Sequence, residues 1–302
     1  ASLLAQQIPY TNCSNCWNPD SLGNHRVVLQ FDGSGNIAEA TIPWRRRDYN
    51  PELKRIIIED GKTHQRILNV KSGTLNREYG NIYFEPVSGN GIYYVYYMPY
   101  KNEGRSNYPK GIYLKPDTTA SSEWLTSLST GKNFPVANIK EFQSIDSFNA
   151  FYPMEIIATK KETDDLVAQN KNQSYLIFPE DRLHSIRMTN DLPQRWIEKG
   201  VKSSFTDTAL RGENFAYQLG IYALQDLKNI KINFSDLKNS DGKIISAKNI
   251  SCLNTEGTDY QGHSMKKIVN IEKGKVQAMW CMIDVPKNAL PGKYIGKAII
   301  TT

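Results

Sequence analysis

The run Pro43-Trp44-Arg45-Arg46-Arg47-Asp48 concentrates residue types suited to holding an anion. A guanidinium presents paired N–H donors that match carboxylate, sulfate or phosphate oxygens, and an indole beside it can stack on the same plane. The plainer reading takes precedence: alternate arginines at a strand end face opposite ways, Arg45 and Arg47 to one side, and one of the three pairs internally with Asp48. Tyr93, Tyr94, Tyr96, Tyr97 and Tyr100, with Tyr83 on the preceding strand, place aromatics on both faces of one hairpin. Flat rings with a polar rim suit sugars, and Tyr94 and Tyr96 are the candidates there, although tyrosine is also an ordinary half-buried strand residue.

Glu180-Asp181-Arg182 follows a strand and Pro179, and is expected in a loop. Glycoside hydrolysis needs two carboxylates across the scissile bond, or one acid and a polarising group when the substrate's own N-acetyl group attacks. Adjacent carboxylates beside an arginine are more commonly a surface ion pair. His25, His64, His184 and His263 show no ligand spacing, and no G-x-S-x-G, Cys–His nucleophile signature or Gly-rich phosphate loop is present. No metal set and no cofactor is expected. Cys13 and Cys16 form a C-x-x-C without the second close pair of a zinc ribbon or the βαβ pattern of a redox motif, so they read as a local disulfide or two inert thiols. Four cysteines, an even count, are compatible with an oxidising compartment.

These residues must be positioned by β structure. In a chain of 302 residues, room for about two domains, residues 26–100 are short apolar runs punctuated by Asp32-Gly33, Asp60-Gly61 and Gly89-Asn90-Gly91. Val27 to Phe31 and Ile37 to Trp44 read as a hairpin. Ser121 to Leu128 and Lys160 to Gln169 are helix candidates, Phe148 to Thr159 and Ser174 to Phe178 are strand-like, and Pro193 opens a helical turn that Gly200 ends. From Glu213 onward six strands are expected. Val276 to Val285 is apolar on both faces, as a strand central in its sheet or beneath a neighbouring domain must be.

The expectation is an all-β protein with minor helix: a β-sandwich domain over residues 1–185 and an immunoglobulin-like sandwich over 186–302. No apolar run is long enough for a membrane-spanning helix. Of the 37 Lys+Arg and 31 Asp+Glu, the first part holds 20 and 20 and the second 17 and 11. That surplus is dispersed lysine on strand faces, so nucleic acid is not expected as a partner. Ala1 to Gln7 carries no positive n-region; it reads as an N-terminal arm or the stub of a cleaved signal peptide. Ile299-Ile300-Thr301-Thr302 stops within a strand, so the chain reads as part of something longer.

Several stretches together resemble the N-terminal, non-catalytic part of bacterial proteins related to glycoside hydrolase family 123. They are IPWRRRDYNPELKRIII (42–58), GIYYVYYMPY (91–100), FYPMEIIAT (151–159), YLIFPEDR (175–182), LPQRW (192–196), RGENFAYQLGIYA (211–223) and IDVPKNALPGKYIGKAII (283–300). The resemblance covers most of residues 25–302. It implies two sandwiches ahead of a (β/α)₈ barrel that releases N-acetylgalactosamine by a substrate-assisted retaining mechanism with an adjacent Asp-Glu pair. Here Glu180-Asp181 is in reverse order and outside any barrel, so no catalytic residue carries over. It also implies an exported protein, periplasmic or at the cell surface.

The resulting expectation is a non-catalytic accessory region of a glycoside hydrolase of the N-acetylhexosaminidase kind, with a separate catalytic domain as partner. The alternative is a stand-alone carbohydrate-binding or protein-interaction module. Its ligand face would be drawn from Trp44, Arg45, Arg46, Arg47, Tyr94, Tyr96, Glu180, Asp181 and Arg182.

Overall fold

Two sheets close over a shared apolar interior in the first part of the chain. The structure, a computed structural model, describes residues 8–302; the reading of Ala1 to Gln7 lies outside the described residues. The strands are β1 (Tyr10–Asn12), β2 (His25–Phe31), β3 (Ala38–Ile42), β4 (Ile57–Asp60), β5 (Val70–Leu75), β6 (Gly80–Phe84), β7 (Gly91–Tyr96), β8 (Tyr100–Arg105), β9 (Tyr108–Tyr113) and β10 (Ala137–Ser144). One sheet has the order β1-β10-β2-β7-β4 and the other β3-β6-β5. Val27, Leu29 and Phe31 alternate inward from β2 and meet Tyr93 and Val95 of β7 and Ile58 of β4. Ala38, Ala40, Ile42, Ile82 and Phe84 close the same core from the second sheet.

The expected hairpin of Val27–Phe31 with Ile37–Trp44 does not form. β2 pairs with β10 and β7, whereas β3 pairs with β6. Both strands are buried, and the connecting segment is long enough to carry the chain from one sheet to the other. In opposite sheets the inward faces of β2 and β3 cover one another across the same core. Tyr83 and the tyrosines of β7 separate for the same reason, since β6 and β7 belong to different sheets. β8 and β9 form a two-stranded ribbon of largely polar sequence that alternation did not mark.

The chain divides into two compact units, Ala1–Tyr152 and Pro153–Thr302. The boundary expected near residue 185 falls inside the second unit, where β11 (Tyr175–Glu180) pairs along its length with β12 (Asn214–Ala223). The other strands there are β13 (Lys231–Phe234), β14 (Leu237–Lys238), β15 (Ile244–Ile245), β16 (Ile250–Cys252), β17 (Glu256–Thr258), β18 (Ser264–Lys266), β19 (Val276–Asp284) and β20 (Ala298–Thr301). A four-stranded sheet, β11-β12-β19-β16, packs against the β13-β20 pair through Leu219, Ile221, Met279 and Cys281, with Ile232 and Ile300 opposite. β19 is central in its sheet, which accounts for its two apolar faces.

Helix is minor. Among the described residues the four α-helices are α1 (Pro19–Leu22), α2 (Ser122–Thr130), α3 (Lys160–Gln169) and α4 (Gln194–Lys199). Ser121 caps α2, and α3 opens with a capping box: Thr159 Oγ1 accepts from Glu162 N–H while the Glu162 carboxylate accepts from Thr159 N–H. Phe148 to Thr159 forms no strand. Its Pro153 has no N–H for a ladder, and Pro153–Glu155 is a 3₁₀ turn instead. The molecule is thus mostly β with little helix, arranged in several sheets as sandwich-like units.

Candidate functional site

Trp44 and Arg46 are brought together and turned inward. The segment leaves β3 and pairs its backbone with the chain before β6: Arg45 N–H donates to Glu78 O at 3.1 Å and Arg46 N–H to Arg77 O at 2.7 Å. Arg45 takes a φ of 46°, which sends Arg46 to the interior. Trp44 is 3% exposed and donates Nε1–H to Asn76 O at 2.7 Å. It lies against Gly80, where a Cβ would stand 2.2 Å from the ring, so only glycine fits there. The Arg46 guanidinium sits 4.8 Å from the Trp44 ring and 5.1 Å from that of Tyr97.

Arg46 also grips Asp48 with two bonds, of 2.8 and 2.7 Å, and Lys54 bonds the same carboxylate. Burial opposes the charge of Asp48, yet these two cations outweigh it and hold its pKa below the ordinary carboxylate value. Arg47 points outward, and its carbonyl accepts from Arg77 Nη2 at 3.0 Å. Arg46, buried, and Arg47, exposed, therefore face different ways, and the internal pairing with Asp48 is made by Arg46.

Tyr94 and Tyr96 gather around a residue that sequence reasoning passed over. Arg26, 4% exposed, lies between Trp17 and Tyr94, 4.4 and 3.8 Å from the two ring centroids. Its Nε donates to Gln143 Oε1 at 2.8 Å, Nη1 to the Tyr96 hydroxyl at 3.2 Å, and Nη2 reaches Cys13 Sγ at 3.9 Å. Cys13 is bridged to Cys16, which fixes the turn carrying Trp17. The Tyr96 O–H donates in turn to Glu59 Oε2 at 3.1 Å, and burial raises its pKa. The signal for Arg26 in the sequence was one cation opening an otherwise apolar strand. Its partners come from β7, β10 and the 13–17 turn, and nothing in their spacing joins them.

Glu180, Asp181 and His184 form the one group among the described residues whose ligand atoms all lie within 4.8 Å of one another. Glu180 ends β11, and so is not in a loop as expected; it is 1% exposed. Its oxygens accept from Arg195 Nε at 3.1 Å, Trp196 Nε1 at 3.0 Å and Lys199 Nζ at 3.2 Å, all from α4. Asp181 Oδ1 accepts from Leu183 N–H at 2.8 Å, His184 N–H at 3.0 Å and the His184 ring at 2.8 Å. Burial works against its charge, and the bonds from His184 and Leu183 still lower its pKa. Arg182 turns away to pair with Glu213 beside Phe215.

Chemically, this cluster ties α4 to the end of β11. The Glu180 carboxylate is occupied by two cations and an indole, so its oxygens are already engaged by donors of α4. Asp181 is held as an anion by its own turn. Neither is arranged opposite the other across open space, as hydrolysis of a glycosidic bond requires.

Residues 15–145 match the family model of the glycoside hydrolase 123, N-terminal domain. No curated protein matches the chain. Among solved structures, a family 123 glycoside hydrolase from Clostridium perfringens, described for glycolipid glycan hydrolysis, is similar over 43% of this chain at 21% identity and a TM-score of 0.33. That match spans 24% of the solved chain. The first unit, two sheets packed over the core of Val27, Phe31, Ile82 and Tyr93, thus carries a domain related to the N-terminal domain of glycoside hydrolase 123.

Proposed function

We propose that this chain is a non-catalytic accessory region of a bacterial glycoside hydrolase of the N-acetylhexosaminidase kind, working beside a separate catalytic domain. The observation that carries the reading is the match of residues 15–145 to the glycoside hydrolase 123 N-terminal domain. The state of the chain's own carboxylates agrees with it, since Glu180, Asp181 and Asp48 are all committed to ion pairs or turns. In this reading the second unit is an immunoglobulin-like sandwich. An exported location, periplasmic or at the cell surface, is supported by the Cys13–Cys16 disulfide.

The test is hydrolysis of an aryl N-acetyl-β-galactosaminide and of the corresponding glucosaminide. The purified chain is expected to release no aryl alcohol above the buffer rate. Steady release that disappears in Glu180→Gln or Asp181→Asn would overturn the proposal. A carbohydrate-binding face built on the same candidates would have to rely on the exposed Arg47 and Arg182 and the half-buried Arg45, Tyr94 and Asp181, because Trp44, Arg46, Tyr96 and Glu180 are buried.

A further inference from the structure

Cys252 ends β16 and stands directly opposite Cys281 on β19. Leu253 N–H donates to the Trp280 carbonyl at 2.8 Å, so the neighbouring pair carries the ladder bond. In an antiparallel ladder hydrogen-bonded and non-hydrogen-bonded pairs alternate, which places the two cysteines at a non-hydrogen-bonded position. There Cα atoms approach to about 4.5 Å, within the span of about 4.4–6.8 Å that a cystine bridges. Both thiols are free and buried, 1% and 0% exposed. The only other cysteines, Cys13 and Cys16, are bonded to each other in the first unit.

We infer that Cys252 and Cys281 are a cystine-forming pair, closed when the chain folds in the presence of a small disulfide oxidant. The neighbouring Cys281 and the turn at Asn254 and Thr255 lower the pKa of Cys252 to about 6, whereas the neighbouring Cys252 and burial raise that of Cys281. Tyr217, opposite Cys281 on β12, completes a row of three side chains across the sheet. The Cys252 thiolate attacks one sulfur of the oxidant and expels a thiolate, giving a mixed disulfide. Cys281 then gives up its proton, its sulfur attacks that of Cys252, and a second thiolate leaves. Two protein thiols and one small disulfide become one cystine and two small thiols, which carry away both protons. The bond pins a strand that needs it: β16 is an edge strand with three paired residues, and the β17–β18 hairpin hangs from its end.

The test is peptide mapping of the unaltered chain after unfolding and refolding with oxidised glutathione, taken to the point where Cys13 and Cys16 no longer alkylate. Trypsin cuts after Lys248, Lys266, Lys275 and Lys287, so the two cysteines fall in peptides 249–266 and 276–287. The expected product is these two peptides joined, separated by reductant and absent from Cys252→Ser. Alkylation of both thiols in the unreduced protein, a lasting glutathione adduct on either, or a link to Cys13 or Cys16 would each overturn the inference.

Discussion

The Trp196 indole lies flat on the Phe178 ring, with 4.4 Å between centroids and 4° between planes. The same indole donates to Glu180 at 3.0 Å. A large apolar ring and a buried carboxylate are thereby fixed by one side chain, and α4 is seated on the sheet by both. The ring fits only because β12 offers Gly220 beneath it, where a Cβ would stand 2.4 Å from the indole.

Gly220→Ala is therefore expected to destabilise the second unit by about 1–3 kcal/mol, the usual cost of overpacking a close contact. Urea denaturation followed by Trp fluorescence would measure it. A transition unchanged from the parent chain would show that α4 is not held by this contact.

Arg26→Lys should cost about 1–3 kcal/mol in the first unit. An ammonium keeps the charge but loses the planar stack between Trp17 and Tyr94 and cannot reproduce the forked bonds to Gln143 and Tyr96. Guanidinium denaturation of the two proteins side by side gives the difference.

Asp48→Asn should be more damaging, about 3–5 kcal/mol, because it leaves Arg46 buried without its counter-charge. The parent chain should also weaken in acid. The folded pKa of Asp48 lies below its ordinary value of 3.8, so its contribution is present above that pH and lost as pH falls through the folded value. Melting temperature measured from pH 6 downward should fall less steeply below about pH 4 in Asp48→Asn than in the parent.

His25 adds an earlier loss. Burial lowers its pKa beneath the ordinary 6.5, against the opposing bond to the Asn149 carbonyl. A base that folds neutral is fully stabilising above its unfolded pKa, and that stability declines as pH drops below it. Melting temperature should begin to fall near pH 6.5, before the carboxylates titrate, and His25→Gln should remove that upper limb.

Local rules made part of this structure readable. α3 begins at Lys160, where Thr159 and Glu162 spell a capping box, and β19 is central, as its two apolar faces require. Strand partners were not readable in the same way. Apolar alternation says that Val27–Phe31 and Ile37–Ile42 each bury a face, but not whether they share a sheet or oppose one another across the core. The site divided likewise. That one of the three arginines pairs with Asp48 was visible as a short-range contact, and the structure shows it to be Arg46. Arg26 was not, since Trp17, Tyr94 and Gln143 meet it only after three distant segments have assembled.

The placement of β10 between β1 and β2 sets an order on biosynthesis. β2 is complete in sequence at residue 31, yet one of its two neighbours begins at Ala137 and β1 pairs with that same late strand. At about 5–20 residues per second the delay is on the order of ten seconds. During that interval Val27, Leu29 and Phe31 have a bare edge beside them that any other extended chain could join. Until residues 137–144 join, the first unit therefore carries an open edge at β2 that its finished sheet does not have.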